Sequence, residues 1–284
     1  MVDLAELQVA LEKAGNPWRA AETPVASIVA SSEGDGNVFG LAITEPERHD
    51  LLARAEQMES ESPTLAAADT PPPAVDWREG KWTAGVRSQL TCQSCVAFAT
   101  CAVLEARLRI FADRPGMDVD LSESHLFACG NPGGCTRGWT FEPALEQAQR
   151  VGIGSEADFP YQPVEQPCRE VKPVAQVTGW LAATTTDARK QLIAANGPVI
   201  GGMRTFEDFL SYRGGVYRHV LGESTGLHAV CVVGYDDDDE VGCWIIKNSW
   251  SAEWGEAGFG RIAYGECGLG DEFPFFDPDV RSLA

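Results

Sequence analysis

The feature that most constrains this chain is a run of helical periodicity that begins at a cysteine, CVAFATCAVLEARLRIF, starting at Cys95. Its apolar positions share one side of a helix. They are Val96, Ala99, Val103, Ala106 and Ile110, with Leu104, Leu108 and Phe111 widening the stripe. This spacing is typical of a helix that packs against a core, so it predicts a buried helix starting at Cys95. A thiolate at that position would be stabilised by the positive end of the helix dipole.

Three other polar residues lie in motifs that complement this cysteine chemically. Gln89 lies in QLTCQSCVAF, His228 in GLHAVCVVGY and Asn248 in WIIKNSW. Taken singly, Cys95 and His228 could be core residues and Asn248 a turn residue. Thiol-based acyl transfer, however, needs a nucleophile, an imidazole, a group that orients it and an oxyanion donor. His228 follows Cys95 by 133 positions and Asn248 by 153, close to the spacing of papain-like enzymes.

From about Val75 to its C-terminus the chain resembles the papain-like cysteine peptidase family. The resemblance rests on these blocks together with VDWREG, LSESHLFAC, GNPGGCTRGW, FPYQPVEQPC and YRGGVY. It implies an α+β, papain-like fold with a helical left subdomain, a β-barrel right subdomain and the active-site cleft between them. It also implies that Cys95 is the nucleophile, His228 the general acid and base, Asn248 the orienter and Gln89 an oxyanion donor. We expect Cys95 and His228 to form a thiolate–imidazolium pair near neutral pH.

The activity implied by the resemblance is hydrolysis of peptide bonds through a thioester acyl-enzyme. We expect an endopeptidase made as an autoinhibited precursor. Two alternatives stay open: a peptide ligase or cyclase that uses the same acyl-enzyme, and a non-catalytic binding protein of papain fold. The second is motivated by departures from the family pattern beside the nucleophile. Leu90 and Gln93 are expected to crowd the loop before the helix, and Val96 to leave space where the family has a tryptophan.

The resemblance also assigns residues to substrate binding. They are Gly138, Trp139, Thr140, Met203, Leu227, Ala229, Trp250 and Glu272. Arg137 is expected to line the non-primed side of the cleft, next to Gly138, whose backbone is expected to pair with substrate. Trp250 is expected to cover the contact between Asn248 and His228. Trp139 and Leu227 favour an apolar pocket. Glu272 would let that pocket accept arginine, or it is a solvated loop residue.

Nine cysteines add a second line of evidence. The resemblance implies the disulfide pairs Cys92–Cys135 and Cys129–Cys168, and Cys267 lacks the family's partner. The remaining cysteines, Cys101, Cys231 and Cys243, lie in apolar runs and are expected to be buried thiols. A lone CxxC without a second pair disfavours zinc, and we expect no metal and no other cofactor. The acidic run 236–240 lacks the spacing of a calcium loop and predicts a solvated hairpin loop.

The cellular compartment stays open at this stage. Disulfides of this kind favour an oxidising, extracytoplasmic or secreted setting. The N-terminus, MVDLAELQVALEKAGNPW, nevertheless lacks the basic start and apolar core of a signal peptide. A net charge of −20 disfavours nucleic acid and anionic membranes as partners, because both would repel the chain. The expected partner is a peptide or protein substrate.

Residues 1–74 are predicted to form a separate unit from a catalytic domain at residues 75–284. Leu4, Leu7 and Leu11 predict a helix that stops before Gly15, and Pro46 opens a second predicted helix. That second helix continues through Leu51, Leu52 and Ala55. A short strand or irregular chain is expected between the two, and the proline-rich stretch SPTLAAADTPPPA then forms a linker. The unit is either an inhibitory pro-segment, which in the family runs through the cleft backwards relative to substrate, or a retained accessory domain.

Overall fold

The computed structural model describes residues 2–31, 39–66, 70–238 and 241–283. Two residues of the acidic run, Asp239 and Glu240, lie outside the described residues, and so does the stretch 32–38 between the two predicted N-terminal helices. The helices are α1 (Leu4–Lys13), α2 (Pro24–Ser31), α3 (Glu45–Glu61), α4 (Pro63–Ala66), α5 (Cys95–Phe111), α6 (Glu123–Gly130), α7 (Phe141–Arg150) and α8 (Thr186–Asn196). The strands are β1 (Trp18–Ala20), β2 (Ala74–Asp76), β3 (Ala175–Ala183), β4 (Val199–Phe206), β5 (Tyr212–Tyr217), β6 (Ser224–Asp236), β7 (Cys243–Lys247), β8 (Phe259–Ala263) and β9 (Phe275–Ser282).

Helices and strands segregate along the chain, which gives the fold a helical part and a sheet part. Helices α5 to α7 precede β3, and the strands join one nine-stranded sheet in the order β1-β5-β8-β7-β6-β4-β9-β3, with β2 paired to β6. Apart from the parallel pair β5 and β8, the named strands pair antiparallel. The α+β prediction is therefore confirmed. Within the described part of the chain, no helix is long and apolar enough to cross a membrane.

Helix α5 is the central helix, and it matches its prediction at both ends. It runs from Cys95 to Phe111, and its buried residues include Val96, Val103 and Leu104 at 0% exposure. The stripe weakens at its C-terminal end, where Phe111 is 56% exposed. Because α5 packs against β6, it carries Cys95 to the junction of the helical part with the sheet.

Both predicted disulfides are present, Cys92–Cys135 and Cys129–Cys168. The first ties the loop before α5 to the turn that precedes α7, so it fixes the chain on both sides of the cysteine helix. Cys101, Cys231, Cys243 and Cys267 form no disulfide and are buried, as predicted for the first three.

The N-terminal unit wraps around the rest of the molecule. Helix α1 begins at an Asp3 cap and buries Leu7 and Leu11, as its periodicity predicts. Strand β1 adds to the sheet edge at β5, where Trp18 is 2% exposed. Helix α3 begins with a capping box formed by Thr44 and Glu47 and buries Leu51 and Ala55. The predicted second helix is thus confirmed.

Candidate active site

Cys95 lies at the first position of α5 and is fully buried. The preceding loop is held close by the Cys92–Cys135 disulfide and by a hydrogen bond from the Gln93 amide to the Cys135 carbonyl at 3.0 Å. The Cys95 Sγ accepts a hydrogen bond from the Ala229 amide of β6 at 3.4 Å. Because Ala229 directly follows His228, this contact brings the cysteine to the strand that carries the histidine.

His228 and Asn248 form the hydrogen bond that the motif spacing suggested. The distance between His228 Nε2 and Asn248 Oδ1 is 2.8 Å, and the same oxygen accepts from the Ser249 amide at 2.8 Å. The Trp250 ring stacks on the imidazole with centroids 4.8 Å apart. Because the asparagine oxygen can only accept, Nε2 carries the proton, and Nδ1 is the basic nitrogen of the neutral ring. Among the described residues, Nδ1 has no hydrogen-bond partner.

Gln89 is buried beside this group, and its side-chain amide is fully engaged. Its Nε2 donates to the carbonyl oxygens of Phe39 at 2.9 Å and Cys92 at 3.0 Å. Its Oε1 accepts from the Ser249 hydroxyl at 2.7 Å, which fixes the orientation of the amide. The Phe39 carbonyl of the N-terminal unit therefore accepts a hydrogen bond from Gln89 Nε2, the donor that was predicted to serve the oxyanion.

Burial sets the protonation states of the cysteine and the histidine. It raises the pKa of Cys95 to about 12, and the amide hydrogen bond from Ala229 offsets only part of that effect. Burial lowers the pKa of His228 to about 4, against the opposing effect of its bond to Asn248. Both groups are therefore neutral at pH 7. The expected thiolate–imidazolium pair is not formed in this closed site, because the cleft excludes the water that would solvate two charges.

The cleft is filled by residues 39–42 of the N-terminal unit. The Phe39 ring packs on Trp250 at 4.6 Å and meets the His228 imidazole edge-on at 5.2 Å. The Gly40 carbonyl accepts from the Trp139 amide at 2.8 Å. These contacts cover the histidine and place Gly40 against the backbone of Gln93, two residues before Cys95.

The next two residues extend the segment along the other side of the cleft. Leu41 pairs with Trp139 in a parallel bridge, and its amide donates to the Leu227 carbonyl at 3.3 Å. The Ala42 amide donates to the Trp139 carbonyl at 2.9 Å. Leu41 is 1% exposed, so its side chain fills an apolar pocket next to two predicted substrate residues.

Two glycines make this close approach possible. Gly40 has φ +101°, and a Cβ there would lie 2.2 Å from the Gln93 carbonyl oxygen. Gly138 has φ +70°, and a Cβ there would lie 2.3 Å from the Gly40 carbonyl oxygen. Any side chain at either position would force the two backbones apart. The sequence-based reasoning missed Phe39 and Gly40; their signal was a glycine between apolar neighbours, which marks a close approach of two backbones.

The other predicted substrate residues divide into two groups. Gly138, Trp139, Leu227, Ala229 and Trp250 surround the segment 39–42 or the catalytic groups it covers. Met203 lies opposite His228 on β4 and is fully buried, and Thr140 precedes the first residue of α7.

Glu272 fits neither of its expected environments. Its carboxylate accepts a hydrogen bond from Arg204 at 2.9 Å and lies 3.7 Å from Arg48 of α3. The side chain is 31% exposed, so it is neither the base of an apolar pocket nor a solvated loop residue. Its charge is already paired within the chain.

The unusual residues near the cysteine are accommodated without displacing it. Leu90 adopts φ +51° and turns outward, 46% exposed, so it does not crowd the loop. Val96 is fully buried, so the α5 core closes over the position. Arg137 is exposed and folds back on its own loop, where its Nε donates to the Gly133 carbonyl at 3.0 Å. The expected lining of the cleft by Arg137 is therefore not seen.

Comparison with known proteins identifies the fold and the family. The family model described as papain family cysteine protease matches residues 71–275. This chain belongs to that family. A cathepsin L-like proteinase of Fasciola hepatica is 32% identical over 209 residues, which cover 70% of this chain and 63% of the relative. Cysteine proteinase 3 of Entamoeba histolytica is 35% identical over 224 residues, covering 76% and 71%.

Solved papain-family precursors match almost the whole chain. Digestive procathepsin L 3 of Tenebrio molitor larval midgut has a TM-score of 0.77 and 25% identity, covering 97% of this chain and 87% of that one. ProCathepsin B S9 of Trypanosoma congolense, at 20% identity and TM-score 0.77, shares the fold. The match therefore includes the N-terminal unit, although the chain spans 55 to 63% of the length of the first curated relatives it matches.

Proposed function

We propose that this chain is the precursor of a cysteine endopeptidase that hydrolyses peptide bonds through a thioester. One arrangement carries the proposal: Cys95 at the start of α5, beside a His228–Asn248 hydrogen bond covered by Trp250. Cys95 acts as the nucleophile and His228 as the general acid and base. Asn248 orients the ring, and Gln89 donates to the oxyanion.

The reaction follows from these positions once the cleft is open to solvent. Hydration favours transfer of the Cys95 proton to His228, and the thiolate attacks the carbonyl carbon of the scissile bond. Negative charge then develops on the carbonyl oxygen, which accepts from Gln89 Nε2 and the Cys95 amide. His228 gives its proton to the departing amine, leaving a thioester. It next takes a proton from the water that attacks this thioester, and the thiol is regenerated. Losing one oxyanion donor typically slows such reactions about a hundredfold or more.

Residues 1–74 act as an inhibitory pro-segment, and residues 75–284 are the catalytic domain. Three observations support this division. The Phe39 carbonyl takes the Gln89 donor, the Phe39 ring covers His228, and burial keeps Cys95 and His228 neutral. The matching solved structures include proteins described as procathepsins, a proform and a precursor.

The position of Leu41 supports a preference for substrates with an apolar side chain that enters the pocket now filled by Leu41. Its side chain is buried in the same apolar cluster as Trp139 and Ala229, with Leu227 packed against that cluster. We assign substrate binding to that site and its neighbours: Gly138, Trp139, Thr140, Met203, Leu227, Ala229 and Trp250. Glu272, paired with Arg204, contributes charge at the side of the cleft rather than inside the apolar pocket.

A peptide-library digest analysed by mass spectrometry tests the proposal. The full-length protein is assayed after processing, next to Cys95→Ala and to Cys243→Ala, which changes another buried cysteine that forms no disulfide. Cleavage by the wild type and by Cys243→Ala but not by Cys95→Ala supports the proposal. Equal cleavage by Cys95→Ala contradicts it. Transfer of the acyl group to an added amine in place of hydrolysis would identify a ligase, and failure of a thiol-directed inhibitor to label Cys95 after processing would identify a binding protein.

A further inference from the structure

A small cavity is lined by Asn248 but not by Cys95 or His228. It has a volume of about 20 Å³, and Asn248, Arg87, Glu123 and Ala102 contribute to its lining. A cavity needs about 10–15 Å³ of this kind of volume to hold one water molecule. The space is therefore the right size for a single water.

Three polar atoms of the lining residues lack partners within the described part of the chain. They are Asn248 Nδ2, Arg87 Nε and Glu123 Oε2. Asn248 is 3% exposed and Glu123 is 2% exposed, so bulk water does not reach either group. Two of these atoms donate hydrogen bonds and one accepts, and buried water typically makes about three hydrogen bonds.

The orientation of the Asn248 amide depends on what holds its nitrogen. Its oxygen serves His228 Nε2 and the Ser249 amide, both of which donate. A flip of the amide would place an NH₂ group against those two donors. Any acceptor that holds Nδ2 therefore keeps the oxygen on the imidazole.

Glu123 is well placed to anchor such an acceptor. It occupies the first turn of α6, and its Oε1 lies 3.8 Å from Arg87 Nε. Arg87 also pairs with Asp120. Burial raises the pKa of Glu123, Glu105 adds to the effect and Arg87 opposes it. The groups around the cavity that titrate or carry charge are Arg87, Cys101, Glu105, Asp120, Glu123, Glu156, Cys231 and Lys247.

We propose that one water molecule in this cavity accepts hydrogen bonds from Asn248 Nδ2 and Arg87 Nε and donates one to Glu123 Oε2. Glu123 is then a positioning residue: it holds the Asn248 amide through the water, and Asn248 holds the His228 imidazole. The inference rests on the proposed peptidase function, because it assigns Glu123 a part in keeping the imidazolium oriented. It predicts that Glu123 affects turnover and the pH profile more than substrate binding.

Two changes of different chemistry test the link in the enzyme that is obtained by processing the full-length protein. Glu123→Gln replaces the carboxyl group that holds the water by an amide, and Ala102→Val fills the cavity with two methyl groups. Each is expected to lower kcat about fivefold, the equivalent of one hydrogen bond, and to leave KM unchanged. Each should also lower the alkaline pKa of the kcat/KM profile, because a poorly held imidazolium loses its proton more easily. The double variant should be no worse than the worse single one.

Glu156→Gln is the matched control. Glu156 is a half-buried carboxyl near the same acidic residues and also has an unpartnered Oε2, but it does not line the cavity. An unchanged pH profile in Glu156→Gln, with the shift in Glu123→Gln and Ala102→Val, supports the proposal. Equal shifts in Glu156→Gln and Glu123→Gln, additive losses in the double variant, or an unchanged profile in Glu123→Gln would each overturn it.

A high-resolution crystal structure of the full-length protein tests for the water independently of the proposed peptidase function. A single water peak within hydrogen-bond distance of the three atoms supports the link even if no peptidase activity is found. A dry cavity overturns it even if the enzyme is active. Thermal unfolding of every variant shows whether a loss of activity is merely a loss of fold.

Discussion

Replacing Gly40 by alanine should open the cleft of the precursor. At φ +101° the new Cβ would lie 2.2 Å from the Gln93 carbonyl oxygen, and the contact is with backbone, which cannot rotate away. A side chain in such a backbone conformation costs about 1–3 kcal/mol. At about 1.4 kcal/mol per factor of ten, this cost alone raises the fraction of open molecules by about 5- to 140-fold. The overlap with Gln93 adds to that figure.

The rate of Cys95 alkylation by iodoacetamide measures the open fraction. With a pKa of about 12 in the closed site, the buried thiol reacts only when the segment 39–42 leaves. The labelled residue is identified by mass spectrometry, and intact mass confirms that the chain is still unprocessed. Gly15→Ala is the matched control, because Gly15 also has a positive φ, +83°, but no atom within 4 Å of the added Cβ. Equal labelling rates for Gly40→Ala and Gly15→Ala would refute the assigned role of the segment.

Three further predictions concern the closed form and the subsites. Because burial lowers the pKa of His228 to about 4 from an ordinary 6.5, the closed form is most stable above pH 6.5 and loses stability as the pH falls towards 4. Hydrogen exchange at the Leu41 amide, corrected for intrinsic rate, should show that loss, and constant protection from pH 7 to pH 4 would contradict it. Glu59→Gln should increase the same exchange about fivefold at pH 7, because the carboxylate accepts hydrogen bonds from both Thr184 and Thr185; protection equal to wild type would contradict this. Arg204→Ala should raise kcat/KM about fivefold or more for substrates with arginine near the apolar pocket, relative to leucine, because it frees Glu272; an unchanged ratio would contradict it.

The pH prediction has a second contribution of the same sign. Burial alone would raise the pKa of Glu59, but hydrogen bonds from Thr185 and Thr184 outweigh it and lower that pKa. Because the pKa of Glu59 is lowered, its ionised carboxylate stabilises the docked α3 at pH values above the ordinary pKa of glutamate. This stabilisation is lost as the pH falls through the lowered pKa. Acidification therefore weakens the docking of both the segment 39–42 and the helix α3 that follows it.

The secondary-structure elements that could be predicted from the sequence are those determined by residues close together in the chain. The periodicity of α5, the leucine spacing of α1 and the proline at the start of α3 all lie within the helix that they predict. The Cys95, His228 and Asn248 motifs were recognisable because their spacing matched a known family.

Contacts made across long separations could not be read in the same way. The two arginines beside the Glu272 carboxylate are distant in sequence: Arg204 is 68 positions away and Arg48 is 224 positions away. No local pattern therefore reveals that the carboxylate is paired. The neutral state of Cys95 follows from the seating of residues 39–42, which depends on how two glycines face each other in space. These are properties of tertiary packing, which composition and periodicity do not encode.

Active-site titration of the full-length protein, before and after processing, tests the central claim most directly. An irreversible peptidyl inhibitor that requires a thiolate is added, and the modified residue is identified by mass spectrometry. The account predicts little labelling before processing. After the segment 39–42 has been removed, it predicts one equivalent on Cys95, together with peptide hydrolysis. Equal labelling before and after processing, or hydrolysis without modification of Cys95, would contradict it.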